Sequence, residues 1–182
     1  MSPADPDRGE EAPPTAAAAT VTLACHKLTP KITFGSTNYS PGRFERLLSF
    51  LAASGCVFGN ARGTTSLRIS FDDGYQHLRE TLPPLMDRFN FRPIIFIPTD
   101  LIGSMNRWDY SSRLSPDPHL DEVSITDLAT FGVRFGSHGR SHRDLTSLGS
   151  AELKSELEDS RRRLQDLTGQ PVDEISYPFG RT

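Results

Sequence analysis

Residues 66–75 read SLRISFDDGY. Leu67 and Ile69 alternate with polar neighbours, the period of a strand, and successive strand side chains point to opposite faces. Two carboxylates, Asp72 and Asp73, stand at the strand's C-terminal end, and Gly74 lets the chain turn sharply there. Acids aimed in different directions suit a divided task, one carboxylate for a metal and one for protons. Taken alone, the hexapeptide Ser70–Tyr75 reads as a solvated Asp-Asp-Gly turn, a common surface feature. Its surroundings change that reading.

Working outward, apolar stretches alternate with helical patterns. TVTLACH predicts a strand ending at His26, and KLTPKITFGSTNY a polar loop. Residues 40–55, SPGRFERLLSFLAASG, carry helix signals at both ends: Ser40 as cap, Pro41 at the first position and Gly55 as the stop. Phe44, Leu47, Leu48 and Leu51 fall on one face. After the Asp pair, Leu82, Leu85, Met86 and Phe89 form a stripe, with Pro83 and Pro84 predicting that the helix begins there. RPIIFIP is a short continuous apolar run, as in a parallel strand buried on both faces. A loop with Trp108, a short helix from about Ser124 and the strand GVRFGSH follow. Residues 150–168 predict a helix with Leu153, Leu157, Leu164 and Leu167 inward, stopped by Gly169, and EISYPFG is the last strand. Alternation of this kind predicts an α/β fold with a parallel sheet. In such folds functional groups gather at the strands' C-terminal ends. His26, Asp72–Asp73, His138 and YPFG all fall there.

The chain has 182 residues, enough for one domain with a core. Its 36% hydrophobic and 24% charged content are those of an ordinary globular protein. A formal net charge of −3 gives no general attraction to nucleic acid or anionic membranes. Cys25 and Cys56 form no CxxC pattern, no apolar run has the length of a membrane span, and no secretory signal is evident. These features predict a cytoplasmic protein. Residues 1–19, acidic, Pro- and Ala-rich and without aromatics, predict a disordered leader before a domain over 20–182.

GSHGRSHRDL places His138 and His142 four residues apart, a spacing that on a helix puts both rings on one side. Gly139 argues instead for a tight loop, and two surface histidines are the plain alternative. Joined to the Asp pair, the set becomes two histidines and a carboxylate, an open metal site with room for water and substrate. Non-haem iron oxygenases use the same ligands, though usually on all-β folds.

At this point SFDDGY, SHGRSH followed by Leu145, and SYPFG together resemble, in order and spacing, three motifs of the polysaccharide deacetylase family (NodB homology domain, carbohydrate esterase family 4). Residues 40–55 are similar to the helix before the first motif in many bacterial members. The resemblance covers roughly residues 20 to 182 and implies an incomplete, distorted (β/α) barrel. It implies that Asp73, His138 and His142 hold a divalent metal, zinc first, with cobalt, manganese or nickel as alternatives. Asp72 would be the general base, and the backbone N–H of Phe179 would face the oxyanion. Tyr177, Pro178, Trp108 and His26 would meet the substrate, a carbohydrate bearing N-acetyl or O-acetyl groups. Two departures stand out. Ser176 occupies the place of an arginine that orients the catalytic aspartate in many members. The chain also ends at Thr182, before the family's fourth motif and before the fifth, which supplies a general-acid histidine. His77 and His119 match no motif and read as surface or loop residues. A truncated domain that binds metal and glycan without turnover is the alternative function.

Overall fold

The computed structural model describes residues 20–31, 37–59, 66–106 and 117–182. The predicted leader and Trp108 lie outside them. A parallel sheet runs through the middle of the fold. Strand β1 (Thr20–Cys25) pairs in parallel with β5 (Ser66–Phe71), β5 with β6 (Ile94–Ile97), and β6 with β7 (Arg134–Ser137). The short β4 (Val57–Phe58) pairs with the start of β5. Beyond β7 the segment around Ile175 continues the sheet: Ser137 donates to the Glu174 carbonyl, and Ser176 N–H donates back to Ser137. Among the described residues the sheet does not close on itself, so the α/β expectation of an open, barrel-like sheet holds.

Helices α1 (Pro41–Ala53), α2 (Leu78–Phe89), α3 (Glu122–Thr130) and α4 (Ser150–Thr168) connect and cover these strands. Their apolar stripes meet the sheet. Phe44 and Leu48 of α1, Leu78, Leu82 and Met86 of α2, Ile125 and Leu128 of α3 and Leu164 of α4 form one core with Ile69, Phe71, Ile95, Ile97 and Phe135. Burying each such side chain contributes roughly 1.5–3 kcal/mol. Every residue of β6 is buried, as its unbroken apolar run demands. Gly136 lets the layers close: a Cβ there would stand 2.5 Å from the Phe96 ring and 3.0 Å from the Glu174 carbonyl oxygen.

Four expectations change. The last strand expected over EISYPFG is reduced to one parallel bridge at Ile175, followed by a tight turn over Pro178–Gly180, where proline has no N–H to give a ladder. Helix α2 begins at Leu78 and runs through Pro83 and Pro84. The carbonyls left without donors are those of Arg79 and Glu80, both exposed, where water can serve them. The stretch after His26 is no plain polar loop, because β2 (Lys27–Leu28) pairs in parallel with β3 (Asn38–Tyr39). Both β2 residues are buried, Lys27 because its ammonium meets Asp117 at 3.1 Å. In α4 only Leu164 of the four predicted leucines is fully buried, and the other fully buried positions are Glu156 and Ser160.

Candidate functional site

The C-terminal ends of β1, β5 and β7 and the start of the final segment converge on one open cavity of about 800 Å³. His26, Asp72, Asp73, His138, His142, Tyr177 and Phe179 all line it. Pro178 is buried beneath, starting the turn that presents Phe179.

Asp72 and Asp73 part company because the chain changes hand between them. Asp72 still follows β5, its N–H donating to the Cys25 carbonyl. Asp73 has φ 68° and Gly74 φ 59°, so the second carboxylate swings inward and is buried. Non-glycine residues in this region are uncommon and cost energy unless their surroundings hold them. Here the Asp73 carbonyl lies 2.7 Å from His119 Nδ1, and the Gly74 carbonyl accepts from Leu120. The half-buried Asp72 accepts a hydrogen bond at Oδ2 from Ser176 Oγ at 3.0 Å. Ser176 therefore reaches the acid from the segment after α4, 104 residues away in sequence.

Asp73 Oδ1 lies 3.3 Å from His142 Nε2 and 3.6 Å from His138 Nε2. The three ligand atoms sit within 4.8 Å of one another. That oxygen is buried without a hydrogen-bond partner. Orphaned buried oxygens are costly, and a cation between the three atoms would satisfy this one. The Ser176 carbonyl lies 2.8 Å from His138 Nδ1, which fixes that nitrogen as the N–H and leaves Nε2 as the lone-pair donor, the usual outer support of a ligating histidine. Burial holds His138 below the ordinary imidazole value and so favours its neutral, ligating form. Burial alone would raise the Asp73 carboxyl, but His142, His138 and His26 together hold it below 3.8. Two nitrogens and one carboxylate oxygen fit a divalent cation such as zinc.

His77 and His119 are not surface residues. His119 is buried, and Tyr75 stacks with both it and His77, at ring separations of 5.2 and 5.8 Å. The Tyr75 hydroxyl accepts from Asn106, and its ring lies 4.5 Å from the Lys27 ammonium. This polar layer beneath the Asp73–Gly74 turn was invisible in the sequence because its members come from separate segments. The inward glutamate of α4 had a signal, an acid within a stripe of leucines.

The network makes a pH prediction. His77 Nε2 accepts the Leu28 N–H, and burial pushes its pKa down from 6.5 to about 4. As the pH falls from 6.5 toward 4, the unfolded chain takes up a proton that the folded His77 refuses, so stability falls with pH in that window. The slope is about 1.4 kcal/mol per pH unit for one such group. His119 and His138, also held down by burial, act in the same direction. His77→Gln keeps an acceptor and cannot titrate, so urea unfolding across the window should show a slope flatter by about that amount.

Residues 59–182 match the family model described as Polysaccharide deacetylase. The chain is 28% identical over 113 residues to the Bacillus subtilis (strain 168) protein YxkH, which bears a polysaccharide deacetylase designation, covering 62% of this chain and 36% of YxkH. It resembles the crystal structure of a polysaccharide deacetylase from Bacillus cereus (TM-score 0.71, 19% identity, 91% of this chain and 52% of that one). It also resembles the Streptococcus pyogenes deacetylase PplD in complex with acetate (TM-score 0.69, 16% identity, 92% and 76%). The chain thus spans about a third of the length of YxkH and about half of the Bacillus cereus protein.

Proposed function

Since the chain belongs to the polysaccharide deacetylase family, we propose that it is a metal-dependent hydrolase removing acetyl groups from an acetylated glycan, most simply the N-acetyl group of an amino sugar. One observation carries this reading. The buried Asp73 oxygen, His138 Nε2 and His142 Nε2 converge on one point, with a second, differently held carboxylate beside them.

Asp73, His138 and His142 would hold the cation. Bound there, it would supply Lewis-acid chemistry, lowering the pKa of water and polarising an acetyl carbonyl. Asp72 is the base. Ser176 occupies Oδ2, so Oδ1 is the oxygen that takes the proton from attacking water. The Phe179 N–H, presented by a residue with φ 62°, donates to the developing oxyanion. His26 lines the same cavity, where it would meet the substrate. Tyr177, 42% exposed, and the Phe179 ring, 63% exposed, stand at the rim, where aromatic faces suit a sugar ring.

Treating the purified chain with a chelator is expected to abolish acetate release from N-acetylglucosamine oligomers, and zinc to restore it. Release that survives complete metal removal would overturn the reading. Zinc binding with no acetate from any acetylated glycan would favour the non-catalytic alternative. No described helix is long and apolar enough to cross a membrane, and the cytoplasmic placement remains part of this proposal.

A further inference from the structure

Helix α4 lies under the loop 138–142, and of its two fully buried polar side chains Glu156 engages that loop directly and Ser160 through Ser137. Glu156 is 2% exposed. Its Oε2 accepts the N–H of Arg140 at 2.6 Å and of Ser141 at 2.9 Å, and its Oε1 accepts the Ser141 hydroxyl. One turn on, Ser160 Oγ lies 2.8 Å from Ser137 Oγ, which in turn accepts the Gly139 N–H at 3.1 Å. The three backbone N–H groups between the two histidines therefore all end on α4 or on a residue bonded to it.

The fit is tight. Gly139 has φ 74°, and a Cβ there would stand 3.0 Å from Glu156 Oε2. His142 has φ 57°, a left-handed state that a non-glycine residue keeps only when its surroundings impose it. Position 156 lies in a stripe with Leu153, Leu157 and Leu164, where an apolar side chain is the ordinary occupant. A buried carboxylate there is expensive unless fully hydrogen-bonded. Burial opposes its ionisation, yet the Ser141 and Arg140 donors hold it below its ordinary 4.5. Packing gives no reason for the charge, whereas the loop does.

We propose that Glu156 is a positioning residue of the metal centre, a carboxylate around which loop 138–142 wraps so that both imidazoles face Asp73. The inference rests on the cation site proposed above. Its role is exerted through the backbone, so it touches neither cation nor substrate.

The test uses the whole chain with zinc, and with cobalt(II) as a spectroscopic reporter of ligand geometry. Glu156→Leu suits the helix and the apolar stripe but removes the acceptor of two buried N–H groups. It should weaken zinc binding by about 10- to 100-fold, the usual effect of losing an outer-shell partner, and alter the cobalt absorption bands. Amide exchange at Arg140 and Ser141, read in the metal-free chain, should accelerate. Glu156→Gln should rescue most of the affinity and the cobalt spectrum, because its carbonyl can take both N–H groups while its amide donates to the Ser141 hydroxyl. Zinc affinity and cobalt bands in Glu156→Leu equal to wild type would overturn the positioning role. If Glu156→Leu does not fold, Glu156→Asp decides. It keeps the charge but withdraws it by one methylene, and an unchanged cobalt spectrum in that variant overturns the proposal equally. Failure of the metal centre itself is separable, since it appears in the wild-type chain, as absence of zinc binding, before any substitution is made.

Discussion

Asp72→Asn is expected to lower kcat for acetate release by roughly a hundred- to ten-thousandfold while zinc affinity stays close to wild type. The asymmetry follows from the turn. Asp72 and Asp73 are neighbours in sequence, but the left-handed backbone at Asp73 buries one carboxylate with the histidines and leaves the other half-buried on Ser176. An amide at position 72 keeps the shape and can still meet the Ser176 hydroxyl, but it has no lone pair basic enough to take a proton from water. Calorimetric zinc titration alongside acetate release separates the two functions. Loss of zinc binding in Asp72→Asn would show that the two carboxylates share the cation and that the division is wrong. Undiminished turnover would remove Asp72 as the base.

The second large effect is expected at His138. Replacing it by Ala should weaken zinc binding by at least about a hundredfold, beyond the ~10–100-fold typical of outer-shell partners, and abolish turnover with it. His138 is 2% exposed, held by the Ser176 carbonyl at 2.8 Å, and its Nε2 lies across from Asp73. Without the ring, Asp73 and His142 are left as a two-ligand site, too few for a stable zinc centre. Ser176 also loses its donor partner, so Asp72 should become less well held through the same residue. A His138→Ala chain that binds zinc like wild type would place the cation elsewhere.

Sequence reading reached the strand ends more surely than the layer beneath them. The Asp pair, the two histidines and YPFG could be placed on one rim because period-two and apolar runs mark strands, and parallel strands share a direction. The turn at Asp73 could be anticipated from Gly74, but not that Asp73 itself would adopt φ 68°, since that depends on His119 from a distant segment. Pro83 and Pro84 misled because a helix tolerates a missing donor when the freed carbonyls face water, and exposure is not written locally. Lys27 looked like a loop residue because nothing near it in sequence announces Asp117. The Ser176–Asp72 bond spans 104 residues. The sequence put a serine two residues before Pro178, and only the geometry shows that it donates to Asp72.

The polar groups of the cavity hang from the ends of β1, β5 and β7, and the parallel pairing Ile97↔Ser137 and Cys25↔Phe71 fixes their heights. A slip of one residue would move a ligand by about 3.3 Å and turn it to the opposite face. Cation affinity is therefore an assay of completed folding: a chain with misregistered strands has the right residues and no site. Because metal binding adds its free energy only to the correctly registered state, a cation added during refolding should act as a proofreader among pairings, selecting the one alignment in which distant strand ends meet.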